Sequence, residues 1–340
     1  MSTDLDTVIE RIAKEYGAET IHFGDKTEEV KRIPTGSLEL DIITMGGIPI
    51  GRWTRLWGGY MSGKSLLAWN VIRNAQSMGL STAYYNIEKQ YDANYVKALG
   101  IDVDKMLVVE GTIIEEIGTK LDALLRAVNV HVLDSCTAAV SVDELNAKLE
   151  DWRPGLSARA WGKVFRRAEE AFDTAQNTII LIDQARDAFG SYKGGEQAPG
   201  GRAMEHVSSL TMRFRRGSWL FRTKEGFLTS ADSEAAKKEH QGLSGDKEPD
   251  GQEVQIHVTK SRVSPPYRSA RIMYDYSRKK FDWGSEYAKA AIYFDVVEQK
   301  GAWFTLPDGN KVQGEMGLRK ALVESKELRD TVRKVALGSR

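Results

Sequence analysis

The stretch Gly58-Gly59-Tyr60-Met61-Ser62-Gly63-Lys64-Ser65 reads G-x-x-x-x-G-K-S and decides the fold of this chain. The run before it, 52–57, is strand-like, and the run after it, 66–72, has helical apolar spacing. A glycine-rich loop in that position wraps a phosphate with backbone N–H groups, and the helix N-terminus favours negative charge. Lys64 would reach the β- and γ-phosphates, and the Ser65 hydroxyl would ligate Mg²⁺. The alternative, a chance match in a glycine-rich turn, is disfavoured by these flanks.

The composition is that of a globular protein of 340 residues, 41% of them hydrophobic and 28% charged. The net charge is zero, so any nucleic-acid site must come from local basic patches. The single cysteine, Cys136, excludes an internal disulfide framework and suits a reducing cytoplasm. The acidic, polar N-terminus is not typical of a secretory signal, and no apolar run is long enough to span a bilayer. We therefore expect a cytoplasmic protein without a membrane partner.

Strand-like and helical segments alternate through much of the chain, which indicates an α/β fold with a mostly parallel central sheet. The strands expected after the phosphate loop are 81–87, 107–109, 130–135 and 178–182. Ligands of such sheets bind at the carboxyl ends of the strands. The polar residues at those ends are Glu88, Asp134 and Gln184.

Two of these residues have the chemistry of nucleotide hydrolysis. Asp134 fits a carboxylate that steers Mg²⁺ through water. Glu88 could orient or activate the attacking water, or it could be a solvated carboxylate at a strand end. The residues alone leave both interpretations of Glu88 open.

The pattern predicts three parts. Residues 1–32 hold an amphipathic helix and a short strand, which either pack on their own core or dock on a neighbouring subunit. Residues 33–282 form the core, in which long strands surround a polar, hairpin-like excursion at 217–251. Residues 283–340 form a small α+β unit, with a helix to about Gln299, a hairpin turning at 307–310 and two more helices.

Two segments have features of nucleic-acid binding. Residues 151–167 interleave basic side chains with Trp152 and Trp161, which suits phosphate contact and base stacking. A helix with a solvated basic face explains the same pattern equally well. Residues 184–202 form a long glycine-rich loop, which in a compact domain is usually functional or disordered.

At this point the chain resembles the bacterial RecA recombinases over nearly its full length. The stretches that carry the resemblance, besides the phosphate loop, are 12–17, 35–41, 99–102, 133–135, 183–184, 199–201 and 299–303. Together they are specific, whereas no single one is. The resemblance implies a RecA-type P-loop ATPase core and a helical filament of this chain on single-stranded DNA, with ATP at subunit interfaces. The N-terminal helix and strand are then the arm that joins subunits.

The resemblance also implies roles for single residues. Glu88 falls on the catalytic glutamate, and Gln184 on the glutamine that senses the γ-phosphate and relays to the second DNA loop. Lys260 and Arg262 match two lysines that reach the neighbour's ATP and stabilise transferred charge as arginine fingers do. The positions that match adenine contacts are Asp92, Tyr95 and Tyr276.

The first and second DNA loops of the family correspond to residues 152–159 and 185–202. The positions matching DNA contacts are Arg159, Arg166, Arg186, Gly200 and Gly201, to which the two basic segments add Arg153 and Arg202. Phe189 falls where an apolar side chain wedges between base triplets. The pair Arg215 and Arg216 matches basic residues implicated in handling duplex DNA.

The chain departs from the family pattern at several places. Asp183 replaces an asparagine, so we expect a negative charge beside Gln184. Glu205 and His206 replace a lysine and a phenylalanine at the subunit interface, which puts the coupling between ATP sites in doubt. The excursion at 217–251 is longer than usual, and the acidic tail that restrains DNA entry is absent. These divergences indicate an outlying member, with a phage genome as one source to consider.

We therefore expect an ATP-dependent recombinase that pairs and exchanges homologous DNA strands. One alternative is a hexameric motor of the helicase type, which would share the phosphate loop and Glu88 but lack the N-terminal arm and the paired Lys260 and Arg262. Another is a DNA-coating regulatory filament with vestigial hydrolysis, which Glu88 argues against.

Overall fold

The computed structural model describes residues 2–17, 21, 30–148, 155–172, 176–187, 196–198, 201–224, 226–230 and 248–338. Its helices are α1 (Ser2–Tyr16), α2 (Leu38–Ile43), α3 (Lys64–Ser77), α4 (Ala93–Ala98), α5 (Ile114–Leu124), α6 (Val142–Asn146), α7 (Leu156–Ala171), α8 (Gly201–Val207), α9 (Trp283–Tyr293), α10 (Gly314–Glu324) and α11 (Lys326–Gly338). No helix in these ranges is both long and apolar enough to cross a membrane.

The strands are β1 (Arg32–Ile33), β2 (Ile48–Pro49), β3 (Trp53–Gly58), β4 (Thr82–Asn86), β5 (Met106–Glu110), β6 (Val130–Asp134), β7 (Thr178–Gln184), β8 (Arg186–Asp187), β9 (Glu196–Gln197), β10 (Ser208–Arg222), β11 (Leu228–Ser230), β12 (Gly251–Ser261), β13 (Ser269–Asp275), β14 (Lys280–Phe281), β15 (Glu298–Lys300), β16 (Trp303–Thr305) and β17 (Lys311–Gln313). The chain forms two compact units, Met1–Lys31 and Arg32–Arg340.

A sheet of ten strands forms the centre of the second unit, in the order β14-β13-β12-β10-β3-β7-β6-β4-β5 with β11 beside β10. The neighbours from β10 to β5 run parallel, whereas β11 to β14 join antiparallel. The α/β fold with a mostly parallel core is therefore confirmed. Each strand predicted from alternation lies within a few residues of an observed one. Strand β10 continues to Arg222, into the excursion that was expected to begin at 217.

Helices cover both faces of the parallel strands, as a sheet with continuous apolar runs requires. On one face α3 packs Leu67 and Ile72 against the strands. On the other face α5 and α7 pack Leu121 and Phe165 against them. Every residue of β3, β4 and β6 is consequently buried. This two-sided burial leaves the carboxyl ends of the strands as the open edge.

The excursion after β10 begins as a hairpin, because β10 continues to Arg222 and pairs with β11. The Arg222 guanidinium donates to both carboxylate oxygens of Asp275, at 2.7 and 2.8 Å. Its backbone N–H donates to the Asp250 carboxylate at 2.8 Å. Residues 231–247 of the excursion lie outside the described part of the chain.

The C-terminal segment builds a three-stranded sheet, β15 to β17, covered by α9, α10 and α11. The hairpin expected around 307–310 joins β16 to β17, with Phe304 opposite Val312. Helix α9 ends at Tyr293, earlier than the expected Gln299, which instead lies in β15. This segment shares its apolar cluster with Leu38 of α2. The division of the chain at residues 32 and 282 stays a prediction.

The first unit contains α1, whose apolar residues recur at helical spacing as predicted. Leu5 and Val8 on this helix are exposed. The strand expected at 20–23 falls largely outside the described residues. The proposal that this arm joins subunits therefore rests on the amphipathic pattern and the resemblance.

A buried carboxyl group links α9 to α2. Glu286 accepts hydrogen bonds from the Ser37 hydroxyl at 2.8 Å and from the Glu39 N–H at 3.1 Å, through Oε2. Its Oε1 is buried and has no hydrogen-bond partner in the described residues. Burial raises the pKa of Glu286 to about 8, so the group is mainly protonated at neutral pH.

We predict that Glu286 makes stability fall with rising pH. The unfolded chain releases this proton near the ordinary pKa of 4.5, whereas the folded chain keeps it up to about 8. The stabilising contribution is therefore complete below 4.5 and lost as the pH rises through about 8. Glu286→Gln cannot ionise, so its free energy of unfolding in urea should rise relative to wild type across this window. Glu324→Gln, at an exposed site on α10, should not change the pH dependence. Parallel pH curves for wild type and Glu286→Gln would contradict the assignment.

Candidate active site

The phosphate loop connects β3 to α3 with the backbone that its glycines allow. Gly58 has φ 154°, and a Cβ there would lie 2.1 Å from the Phe214 carbonyl oxygen, so only glycine fits. Gly63 has φ 90° and stands immediately before α3. The Lys64 ammonium donates to the carbonyls of Gly58 at 3.0 Å and Gly59 at 2.7 Å. The loop thus holds the lysine at the helix N-terminus.

Asp134 lies at the end of β6 beside this loop, with only 5% of its surface exposed. Its Oδ2 accepts a hydrogen bond from the Tyr84 hydroxyl at 3.0 Å. Burial raises the pKa of Asp134, and hydrogen bonds from Ser65 and Tyr84 together with the Lys64 charge oppose that rise. Ser65 and Asp134 both line the cavity over the loop, and their hydroxyl and carboxylate are hard oxygen donors of the kind that Mg²⁺ prefers.

Glu88 is joined directly to Gln184. Its Oε1 accepts from the Gln184 side-chain amide at 2.7 Å and also from the Ser135 hydroxyl. The Gln184 N–H donates to the Thr137 hydroxyl oxygen at 3.1 Å. The structure therefore brings together the two residues that the sequence placed at separate strand ends. It also brings Ser135 and Thr137 into this site, two residues that the sequence analysis did not predict as site residues.

A cavity of about 270 Å³ lies over the phosphate loop. It is lined by the loop itself, by Glu88, Asp134 and Gln184, and by Gln252, Tyr274 and Tyr276 on the far side. The phosphate loop, the oxygen atoms of Ser65 and Asp134, and the rings of Tyr274 and Tyr276 fit a magnesium nucleotide. Tyr276 lines this cavity, and its contact with a base stays a prediction.

Asp92 and Tyr95 do not line this cavity. The Asp92 carboxylate caps α4 by accepting from the N–H groups of Asn94 at 2.8 Å and Tyr95 at 3.2 Å. Their expected contact with adenine stays a prediction.

Lys260 and Arg262 lie away from the phosphate loop of their own chain. In the register of the sheet, Lys260 is level with Arg55, whereas the loop begins at Gly58. The Lys260 ammonium donates to the carbonyl of Glu205, just before β10. Burial and the Arg262 charge lower the pKa of Lys260. Both residues therefore lie level with the amino-terminal half of β3, away from the phosphate loop.

The expected DNA-contacting positions are only partly described. Arg159, Arg166, Arg215 and Arg216 are exposed, and Gly201 begins α8. The backbones of Arg186 and Arg202 lie in β8 and α8, while their side chains are outside the described part. Arg153, Phe189 and Gly200 lie outside it altogether. Their contact with DNA stays a prediction.

Trp161 is a core residue, so of the two interpretations of 151–167 the helix with a solvated basic face is the one that fits it. Its ring is 1% exposed and stacks on Phe165 with centroids 5.1 Å apart. Its indole N–H donates to the Cys136 carbonyl at 3.0 Å. Helix α7 has a buried apolar face and an exposed basic face, so only its basic groups are available to DNA.

Asp183 does not place its charge beside Gln184. Successive side chains of a strand point to opposite faces, and Asp183 points to the face of α5 and α7. There its carboxylate accepts from the Arg55 Nε at 2.7 Å, with both side chains buried. The Arg55 guanidinium therefore compensates the negative charge of Asp183, which the sequence analysis had considered without a partner.

Comparison with known proteins agrees with this geometry. Residues 3–231 match the family model described as the RecA N-terminal domain. The chain belongs to the RecA family. "Protein RecA" of Fusobacterium nucleatum is 32% identical over 329 residues, which cover 95% of this chain and 81% of that protein. The proteins of the same name from Chlamydia caviae and Saccharopolyspora erythraea are each 30% identical, covering 97% of this chain and 90% of each relative.

Arg55 and Asp183 form an ion pair in which both side chains are buried, with Nε and Oδ2 2.7 Å apart. We predict that Arg55→Met lowers the free energy of unfolding by about 3 kcal/mol, because the buried carboxylate loses its counter-charge. The double variant Arg55→Met/Asp183→Asn should recover most of that loss in a urea titration. Lys105→Met breaks the exposed pair with Asp102, 3.0 Å apart, and should leave the unfolding curve nearly unchanged because solvent screens that pair. Additive losses in the double variant would show that the two side chains do not compensate each other.

Proposed function

We propose that this RecA-family protein is an ATP-dependent recombinase. It forms a helical filament on single-stranded DNA, pairs that strand with homologous duplex DNA and exchanges strands. ATP with Mg²⁺ opens the DNA-binding state, and hydrolysis to ADP and phosphate, stimulated by DNA, releases it. The curated relatives are named RecA, which supports the recombinase assignment. We place this activity in the cytoplasm of a bacterial cell or phage-infected host, near the nucleoid.

The observation that carries the proposal is the hydrogen bond between Glu88 and Gln184. Glu88 is our candidate for the group that orients or activates the attacking water. Gln184 is the last residue of β7, and the segment proposed to bind DNA begins at the next residues. A change at the γ-phosphate that draws Gln184 away from Glu88 would therefore move the start of that segment.

The other residues of the cavity have complementary roles in the proposal. The N–H groups of 59–65 and the Lys64 ammonium would hold the phosphates. Ser65 would ligate Mg²⁺, and Asp134 would hold it through water. The metal, when bound, neutralises charge on the β- and γ-phosphates. Tyr276, with Asp92 and Tyr95 nearby, would contact the base.

The filament assignment can be tested directly by electron microscopy with a non-hydrolysable ATP analogue, with and without single-stranded DNA. A helical filament on DNA is the expected result, and Lys64→Ala, which removes the phosphate contact, should form none under the same conditions. Closed rings would instead favour the hexameric motor. Coating of DNA by wild type and Lys64→Ala alike would favour a regulatory filament.

Glu88→Gln should retain binding of magnesium nucleotide and of single-stranded DNA but hydrolyse ATP at least about 100-fold more slowly, because the amide cannot accept a proton. Binding is measured with a fluorescent nucleotide and labelled DNA, and turnover by phosphate release. Glu110→Gln is the matched control, since Glu110 also ends a strand but lies outside the cavity and accepts from Asn86 at 2.9 Å. Normal turnover by Glu88→Gln would exclude this carboxylate from the reaction.

Mixed filaments test whether Lys260 acts on the neighbour's nucleotide. Glu88→Gln and Lys260→Ala should each be inactive alone. In a mixture of equal amounts, a Lys260→Ala nucleotide site can meet the intact Lys260 of a Glu88→Gln neighbour. Roughly a quarter of the interfaces are then complete, so phosphate release should reappear at about that fraction of wild type. If Lys260 served its own chain's nucleotide, mixing would restore no activity.

A further inference from the structure

The hydroxyl of Tyr84 contacts the carboxylate that the proposed function assigns to Mg²⁺. Tyr84 lies in β4, opposite Val132 of β6, so its side chain is on the same face as Asp134 two residues further on. The phenol donates to Asp134 Oδ2 at 3.0 Å. Both side chains are buried, with 5% of Tyr84 exposed.

Packing fixes the position of this hydroxyl. The Tyr84 ring lies against Trp69, with centroids 4.1 Å apart and an interplanar angle of 31°. Tyr91 contacts it from another side, at 6.2 Å between centroids. Trp69 belongs to α3, the helix that begins with Lys64 and Ser65. The phenol is therefore held in a fixed relation to the phosphate loop.

A phenylalanine would fill the same aromatic cluster, so packing alone does not require the hydroxyl. What the hydroxyl adds is a donor to one oxygen of a buried carboxylate that also interacts with Ser65. A donor on the neighbouring strand restricts the rotamers that this buried carboxylate can adopt. Groups that orient a metal-associated residue in this way commonly change metal affinity by about tenfold or more when removed.

We propose that Tyr84 is the positioning residue for the magnesium site of this protein. Its hydroxyl holds Oδ2 of Asp134, so that the carboxylate is already oriented toward Ser65 before the metal arrives. This inference rests on the proposed function of Asp134 and adds the residue that sets its geometry.

The test compares Tyr84→Phe with Tyr85→Phe. Tyr85 is the next residue of β4 and is equally buried, but its hydroxyl donates to Nδ1 of His131 at 3.1 Å on the opposite face of the sheet. Each variant loses one buried hydroxyl, so a general effect on stability should be similar. Binding of a fluorescent ADP analogue is measured in EDTA and across a Mg²⁺ titration.

We expect the Mg²⁺ concentration at half-saturation to rise about tenfold in Tyr84→Phe and to stay unchanged in Tyr85→Phe. Nucleotide affinity in EDTA should be the same in all three proteins. An unchanged Mg²⁺ requirement in Tyr84→Phe would overturn the inference. Absence of nucleotide binding by wild type would overturn the proposed function itself, and the inference with it.

A second comparison separates positioning from a structural effect. In the Asp134→Asn background, Tyr84→Phe should cause no further change in the Mg²⁺ requirement, because the group through which it acts is gone. A further tenfold loss in that background would show that Tyr84 acts independently of Asp134. Thermal unfolding of each variant shows whether a lost response comes from loss of the fold.

Discussion

The register of the parallel strands is the constraint on which the site depends. Gly58 at the end of β3 is level with Gln184 of β7, and Asn86 of β4 is level with Asp134 of β6. These pairings bring the phosphate loop, the proposed metal carboxylate Asp134 and the proposed γ-phosphate sensor Gln184 to one edge. A slip of one residue in any of these strands would turn its terminal side chain to the other face. The buried apolar runs resist that slip, because it would exchange the faces against which α3 and α7 pack.

At this edge of the sheet, Glu88 forms hydrogen bonds with residues of β6, of the turn after β6 and of β7. Its backbone N–H donates to the Asp134 carbonyl at 3.2 Å, and its carboxylate accepts from Ser135 and Gln184. The donors come from β7 and from the turn after β6. Any movement of Gln184 therefore changes the hydrogen bonding of the proposed catalytic group directly, without a chain of intermediates. The same bond gives a physical basis for coupling between the nucleotide cavity and the segment after β7.

Local sequence patterns were enough to predict the phosphate loop and the polar residues at the strand ends, because both features depend on residues that are close in sequence. Tyr84 and Arg55 could not be predicted in this way, because their partners Asp134 and Asp183 lie on other strands. Each pair is in contact only in the observed register of the sheet. Trp161 decides between the two interpretations of 151–167 that the sequence left open. Its neighbours Val164, Phe165 and Ala168 are apolar at helical spacing and are buried with it, which favours the helix with a solvated basic face.

The sheet also separates Lys260 from the proposed nucleotide site of its own chain. Lys260 is level with Arg55, three residues or about 10 Å along β3 from Gly58, and is separated from β3 by β10. Crossing two strand spacings adds roughly another 10 Å. Its ammonium also points to the Glu205 carbonyl, away from the loop. A side chain so placed cannot contact a phosphate held by Lys64 of the same chain. If Lys260 and Arg262 act on a nucleotide at all, that nucleotide belongs to a neighbour whose strand ends face this side of the sheet.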